Sequence, residues 1–303
     1  MGTNRGCAKI LQAVYSNSWA IQPEKLDGII EFLQIRDSGY VFDAEEVQDR
    51  IGAQSGSGDE IRGGVQVLPL MGILSKRMDM MTEISGGTSL DGFVKRFDVA
   101  MSDPQISAIV IDVDSPGGSV YGVQETSDHV YKARGIKPIT AVANSLMASA
   151  AYWVGSAADQ IVITPSGEVG SIGVVALHVD TSGADEKLGL KYTLISAGEH
   201  KTEGNAYEPL DDDARGTIQK RVDEYYDAFL SAVARNRGIG KSEVRKSYGQ
   251  GRVAGAREAK TLGMVDRIDG LDATIFGVTK KRSKKLAGIR QRNLALAVDN
   301  RNL

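Results

Sequence analysis

Ser107-Ala-Ile-Val-Ile-Asp-Val113, running on into Asp114-Ser-Pro-Gly-Gly-Ser-Val120, is the stretch that decides the fold. Its first half is a nearly continuous apolar run, as expected of a parallel strand buried on both faces. Its second half is built from turn residues and predicts a strand-to-helix turn. Two adjacent glycines at the end of a buried strand leave backbone N–H groups unshielded by any Cβ. Such groups suit an anion or a developing oxyanion. The Gly-Lys-Ser/Thr ending of a phosphate loop is absent.

Working outward, strand and helix signals alternate. Val65 to Leu74 reads as a strand, and Leu90, Phe93, Val94, Phe97 and Met101 share one face of a helix. Downstream, a helix is expected from Tyr121 to Arg134, a strand from Pro138 to Ala143, and a helix from Leu146 to Ala157. Strands are expected at Gln160 to Thr164, Ile172 to Val179 and Tyr192 to Ser196. A long helix starts near Asp211, which can cap it, with Ile218, Val222, Tyr225, Tyr226, Phe229, Leu230 and Val233 on its buried face and Gly238 at its end. The alternation predicts a layered α/β domain. Before it, Pro23 heads a helix with Leu26, Ile29, Ile30 and Leu33 at core-facing spacing. The linker-like Ala53-Gln-Ser-Gly-Ser-Gly58 and the basic Thr279-Lys-Lys-Arg-Ser-Lys-Lys285 suggest three parts. These are an N-terminal extension with linker (1–58), a main domain (59–272) and a basic polar tail (273–303).

A net charge of −3 argues against a nucleic-acid footprint, which is strongly basic. The lone cysteine, Cys7, cannot close an internal disulfide, which fits a reducing cytoplasm. The first residues lack a signal-peptide core, and the longest apolar stretch, Leu146 to Ala158, is too short to span a bilayer. A soluble protein without membrane, metal or cofactor is the expectation.

Chemistry concentrates in Asn144-Ser-Leu-Met-Ala-Ser-Ala-Ala-Tyr-Trp153, where Ser149 has small neighbours at the start of a helix. A serine hydroxyl needs a base to attack anything at neutral pH. Of the three histidines, His129, His178 and His200, none has a triad spacing, and His200 is the best imidazole candidate. Lys201, in Ser196-Ala-Gly-Glu-His-Lys201, is the other choice. A lysine serves as a base only when burial keeps it uncharged.

Taken in order, these segments resemble the S49 family of serine peptidases, the signal peptide peptidase A group, related to the Clp protease and crotonase folds. Asp114 to Val120 is similar to the family's oxyanion loop, and Met147-Ala-Ser-Ala-Ala-Tyr-Trp153 to its nucleophile motif, with Ala150-Ala151 where many members have Gly-Gly. Val169-Gly-Ser-Ile-Gly-Val174, the Lys201 segment and Gly251 to Asp266 match further elements. The resemblance covers roughly residues 63 to 270 and implies a Clp/crotonase-like layered fold with repeated β-β-α units and a small helical N-terminal extension. It implies Ser149 as nucleophile, Lys201 as general base from the same chain segment, and Ser171 as the residue that holds the lysine. The Gly118 and Ala150 N–H groups would form the oxyanion hole, with Gly117 shaping the turn. A Clp-type histidine is not expected, because Val174 stands at that spacing.

Ala13-Val-Tyr-Ser-Asn-Ser-Trp-Ala-Ile-Gln-Pro-Glu-Lys25 is similar to the start of S49 proteases of tailed phages and prophages. That resemblance implies a homo-oligomeric endopeptidase that processes scaffold and capsid proteins during head maturation, in the host cytoplasm or inside the prohead. The alternatives are a soluble bacterial peptidase of the same family and a non-proteolytic scaffold or crotonase-type protein.

Overall fold

The structure, a computed structural model, describes residues 11, 14–15, 17–40, 42, 58–77 and 87–280. Its frame is a run of parallel strands: β3 (Val65–Ser75), β5 (Ala108–Ser119), β6 (Ile139–Ala148) and β7 (Gln160–Ile163). Parallel pairing also joins β4 (Thr88–Ser89) to β3, β8 (Glu168–Gly170) to the upper end of β6, and β11 (Arg267–Ile268) to β7. Antiparallel strands complete the sheet: β1 (Ser18–Ile21), β2 (Glu60–Arg62), β9 (Val175–Ala176) and β10 (Val253–Gly255).

One face of the sheet carries α2 (Leu90–Ser102), α3 (Val123–Lys132), α4 (Ala150–Gly155) and the long α5 (Asp212–Arg237). Ile109, Ile111 and Val113 of β5 point into this layer beside Phe93, Phe97, Trp153 and Phe229. Ala108 and Val110 point the opposite way, with Val65, Val67, Val142 and Val162, and there Ile275 of a helix over 271–280 covers them. Both faces of β5 are therefore dry, which is why its sequence reads as a continuous apolar run. The layered α/β fold expected from the sequence is the one found.

Boundaries differ in instructive places. β5 does not stop at Val113 but continues through Pro116-Gly117-Gly118. Ser115 Oγ donates to the Gly72 carbonyl at 2.6 Å, and Gly117 takes φ = +104°, so the chain stays paired with β3 across a register shift. β6 likewise runs on to Ala148, and the helix expected from Leu146 starts only at Ala150, because Leu146–Ala148 pair with β8. The strand expected over Ile172 to Val179 contracts to β9, and Tyr192 to Ser196 forms no strand. Strand character needs a neighbour, and a single chain offers none to that segment.

The N-terminal helix forms as α1 (Pro23–Asp37), with Leu26, Ile29, Phe32 and Leu33 buried. Strand β1 in front of it enters the main sheet between β5 and β9. Residues 273–280, expected in the tail, belong instead to the helix on the sheet. The linker at 53–57 and the basic cluster beyond Lys280 lie outside the described residues.

Candidate active site

Ser149 occupies the sharp corner between β6 and α4, with φ 53° and ψ −118°. A side chain with Cβ in that backbone region costs about 1–3 kcal/mol, a strain found at functional sites. The corner is held from below: Ser149 N–H donates to Gly170 O at 2.7 Å, and Ser149 O accepts from Trp153 N–H at 2.9 Å. Strand-to-helix corners of this kind push a serine hydroxyl out of the end of a sheet. The Ser149 hydroxyl donates to the Gly173 carbonyl at 3.5 Å, a long bond that leaves the oxygen weakly committed.

Two glycines flank it. A Cβ at Gly117 would overlap the Ala20 carbonyl oxygen and stand 3.0 Å from Ser149 Cβ. A Cβ at Gly118 would overlap the Leu74 carbonyl, so only glycine lets β3 and β5 approach this closely. Ala150 is the first residue of α4, and its N–H has no acceptor within the helix. Gly117, Gly118, Ser149 and Ala150 are thus brought together at the C-terminal end of β5 and β6. Ser171, one residue beyond the carbonyl that anchors Ser149, is buried with φ 53°, and its N–H donates to Arg252 O at 2.8 Å. That bond ties the Gly-Ser-Ile-Gly element to β10.

Lys201 is not brought to Ser149 within one chain. It stands exposed in a turn, its N–H donating to Gly198 O at 3.1 Å, and no hydrogen bond among the described residues joins its amine to Ser149 or Ser171. The histidines fare no better as partners for the serine. His129, on α3, bonds Asp98 of α2 at 2.6 Å. His178 and His200 line a cleft of about 690 Å³ with Glu203 and Arg221, and Ser149 does not line it. His178 Nε2 lies 3.0 Å from the Asn205 carbonyl.

Strand β1 was missed as a neighbour of the site. Trp19-Ala-Ile21 is a three-residue apolar run directly before a helix, too short to read as a strand without its partners. Tyr152, three residues after Ser149, is structural: burial pushes its hydroxyl well above the usual range, and it donates to Met264 O at 2.9 Å. Among the described residues no cluster of His, Cys, Asp and Glu is arranged to hold a metal, and no helix is long and apolar enough to cross a membrane.

The family model of Peptidase family S49 matches residues 132–285, a span that holds Ser149, Ser171 and Lys201. Capsid assembly protease C of Escherichia phage lambda is 35% identical over 209 residues, covering 69% of this chain and 47% of that protein. Head-tail preconnector protein GP5 of Enterobacteria phage P21 is 37% identical over 176 residues, covering 58% and 35%. The chain thus spans less than half the length of these two relatives. A putative signal peptide peptidase SppA of Enterococcus faecium is 28% identical over 199 residues, covering 64% and 56%. Among solved structures, a ClpP1 mutant from Listeria monocytogenes aligns with a TM-score of 0.40 at 14% identity, covering 67% of this chain and 91% of that one.

Proposed function

Because the chain belongs to peptidase family S49, we propose that it is a serine endopeptidase in which Ser149 is the nucleophile and Lys201 the general base. The observation that carries this reading is the strained Ser149 corner set between Gly117-Gly118 and the first N–H of α4. Ser149 Oγ attacks the peptide carbonyl while the amine of Lys201 takes its proton. The tetrahedral oxyanion accepts hydrogen bonds from Gly118 N–H and Ala150 N–H, donors fixed before the charge develops. The protonated lysine then gives its proton to the leaving amine, and the amine of Lys201 activates water to release the acyl-enzyme. Ser171 positions the lysine.

An amine works as a base only without its proton, and removal from water is what favours that form. Lys201 is exposed in the single chain, so the reading requires association to bury it. The segment that carries it also exposes Leu188, Leu190, Tyr192, Leu194 and Ile195, an apolar surface suited to covering by a second copy. The active form is accordingly a homo-oligomer. The names of the two phage relatives favour scaffold and capsid proteins as substrates and the prohead as the place of action.

The test is incubation with capsid and scaffold proteins of the same phage or prophage, followed by gel electrophoresis. Ser149→Ala is expected to abolish cleavage, Lys201→Ala to slow it by about 10²–10⁴-fold, and His200→Ala to leave it within about threefold. Full activity of Lys201→Ala at pH 8 would remove the lysine from the mechanism.

A further inference from the structure

β6 runs beside β5 as far as the Ser115–Met147 pair, with β8 on its other edge over Leu146–Ala148, and then turns at Ser149 into α4. The edge of β5 at Gly117–Ser119 is left open on that side, with the Ser149 corner at its lower end. The chain fills this gap with its own β1. Trp19, Ala20 and Ile21 pair antiparallel with Ser119, Gly118 and Gly117, while Ser18 and Trp19 pair with Ala176 and Val175 of β9. Hydrogen bonds close both ends: Gln22 N–H to Pro116 O at 3.0 Å, and Val120 N–H to Ser18 O at 3.3 Å. Antiparallel pairs alternate in type, so the pair midway between these ends, Ala20 with Gly118, also exchanges backbone hydrogen bonds. The Gly118 N–H, assigned above to the oxyanion, therefore faces the Ala20 carbonyl.

We propose that β1 occupies the peptide groove of the active site as a substrate strand would, and that substrates enter only when it leaves. This rests on the reading of Ser149 as nucleophile. An extended peptide joined to Gly117–Ser119 on one side and β9 on the other would present a carbonyl to Gly118 N–H where Ala20 does now, a recognition by strand addition. The side chain at that position must be small. Ala20 is fully buried in the main core beside Leu74, whereas its neighbours Trp19 and Ile21 point the other way, onto α1. The occupant is built to detach. Trp19 and Ile21 pack with Val14, Leu26, Ile29, Phe32 and Leu33 of their own segment, and Ile73 is the fully buried contribution from the rest of the described chain.

Opposed residues of an antiparallel pair stand within the Cα range a disulfide spans. Ser18→Cys with Ala176→Cys, in a Cys7→Ser background, therefore locks β1 into the groove on oxidation, with the bond verified by thiol counting. The probe is a fluorescein-labelled peptide of residues 17–25, and binding is followed by anisotropy on chains that also carry Ser149→Ala. Ala20→Pro, which removes the central N–H of β1, is expected to bind the peptide at least 10-fold more tightly than its parent. The oxidised lock is expected not to bind it and to regain parental binding on reduction. A peptide with Trp at the Ala20 position is expected to bind neither. Equal binding by the locked and reduced forms, no binding by Ala20→Pro, or failure of the pair to oxidise would overturn the proposal. A parallel set retaining Ser149 reports hydrolysis. If the lock switches binding while no form cleaves peptide, the groove inference stands and the peptidase reading falls.

Discussion

Asp112 is 5% exposed in the middle of β5, and among the described residues its Oδ1 has no hydrogen-bond partner. Burial raises its pKa to about 6, a hydrogen bond from Asn144 opposes the shift, and the nearby charge of Asp114 adds to it. Between the usual carboxylate value and pH 6 the folded chain holds a proton that the unfolded chain releases, so stability falls as pH rises through that window. Above pH 6 the loss is complete, at about 3 kcal/mol. Asp112→Asn is expected to raise the melting temperature by several degrees at pH 8 and to leave it unchanged near pH 4, as followed by circular dichroism. A shift of equal size at both pH values would show that packing, not ionisation, sets the cost. Nothing in Ser107 to Val113 announces this burden, since one Asp in an apolar run is equally compatible with an edge position. Ser149, Gly117 and Gly118, by contrast, were legible as a group through the order of motifs that resembles family S49, and the structure gives a physical reason for their small size in the corner and the close approach of strands.

At the scale of elements, α4 and α5 lock together beneath the candidate site. Trp153 and Phe229 stack with centroids 4.5 Å apart and planes 9° from parallel. Arg134 gathers the end of α4, donating to the carbonyls of Ser156, Ala157 and Ala158, and reaches Asn236 O on α5 at 3.1 Å. Phe229→Ala is expected to destabilise the fold by about 3–5 kcal/mol, seen as a lower urea midpoint. It should also loosen the helix that begins at Ala150, so cleavage should fall even where the chain remains folded. α5 itself could be read in advance: Asp211 Oδ1 accepts from Ala214 N–H at 2.7 Å, and Gly238 closes the helix with φ 68°. The upper halves of β5 and β6 could not, because Pro-Gly-Gly and Asn-Ser-Leu-Met-Ala carry no strand signal of their own. Neighbouring strands supply it.

For the whole molecule, the exposed apolar residues from Leu188 to Ile195 are the surface that the proposed homo-oligomer would cover. Ile195 is 95% exposed, and the alternation of Leu188, Leu190, Tyr192 and Leu194 has the period of a strand with no partner here. Leu190→Asp with Ile195→Asp is expected to shift the chain from oligomer to monomer in sedimentation velocity, with unchanged circular dichroism and little cleavage left. An unaltered sedimentation coefficient would place the subunit contact elsewhere. The grouping of Ser149 with Gly117 and Gly118 came from the order of motifs that resembles family S49; the residues taken alone prescribe the layered α/β class and the small side chains at the corner and the turn. These depend on short periods and local conformational demands. Only the tertiary structure decided that β5 runs through its glycines, that β1 enters the gap beside Ser149, and that Lys201 waits outside. Each of those is a choice of neighbour between segments far apart in the chain, and backbone pairing leaves no trace in the residues that make it.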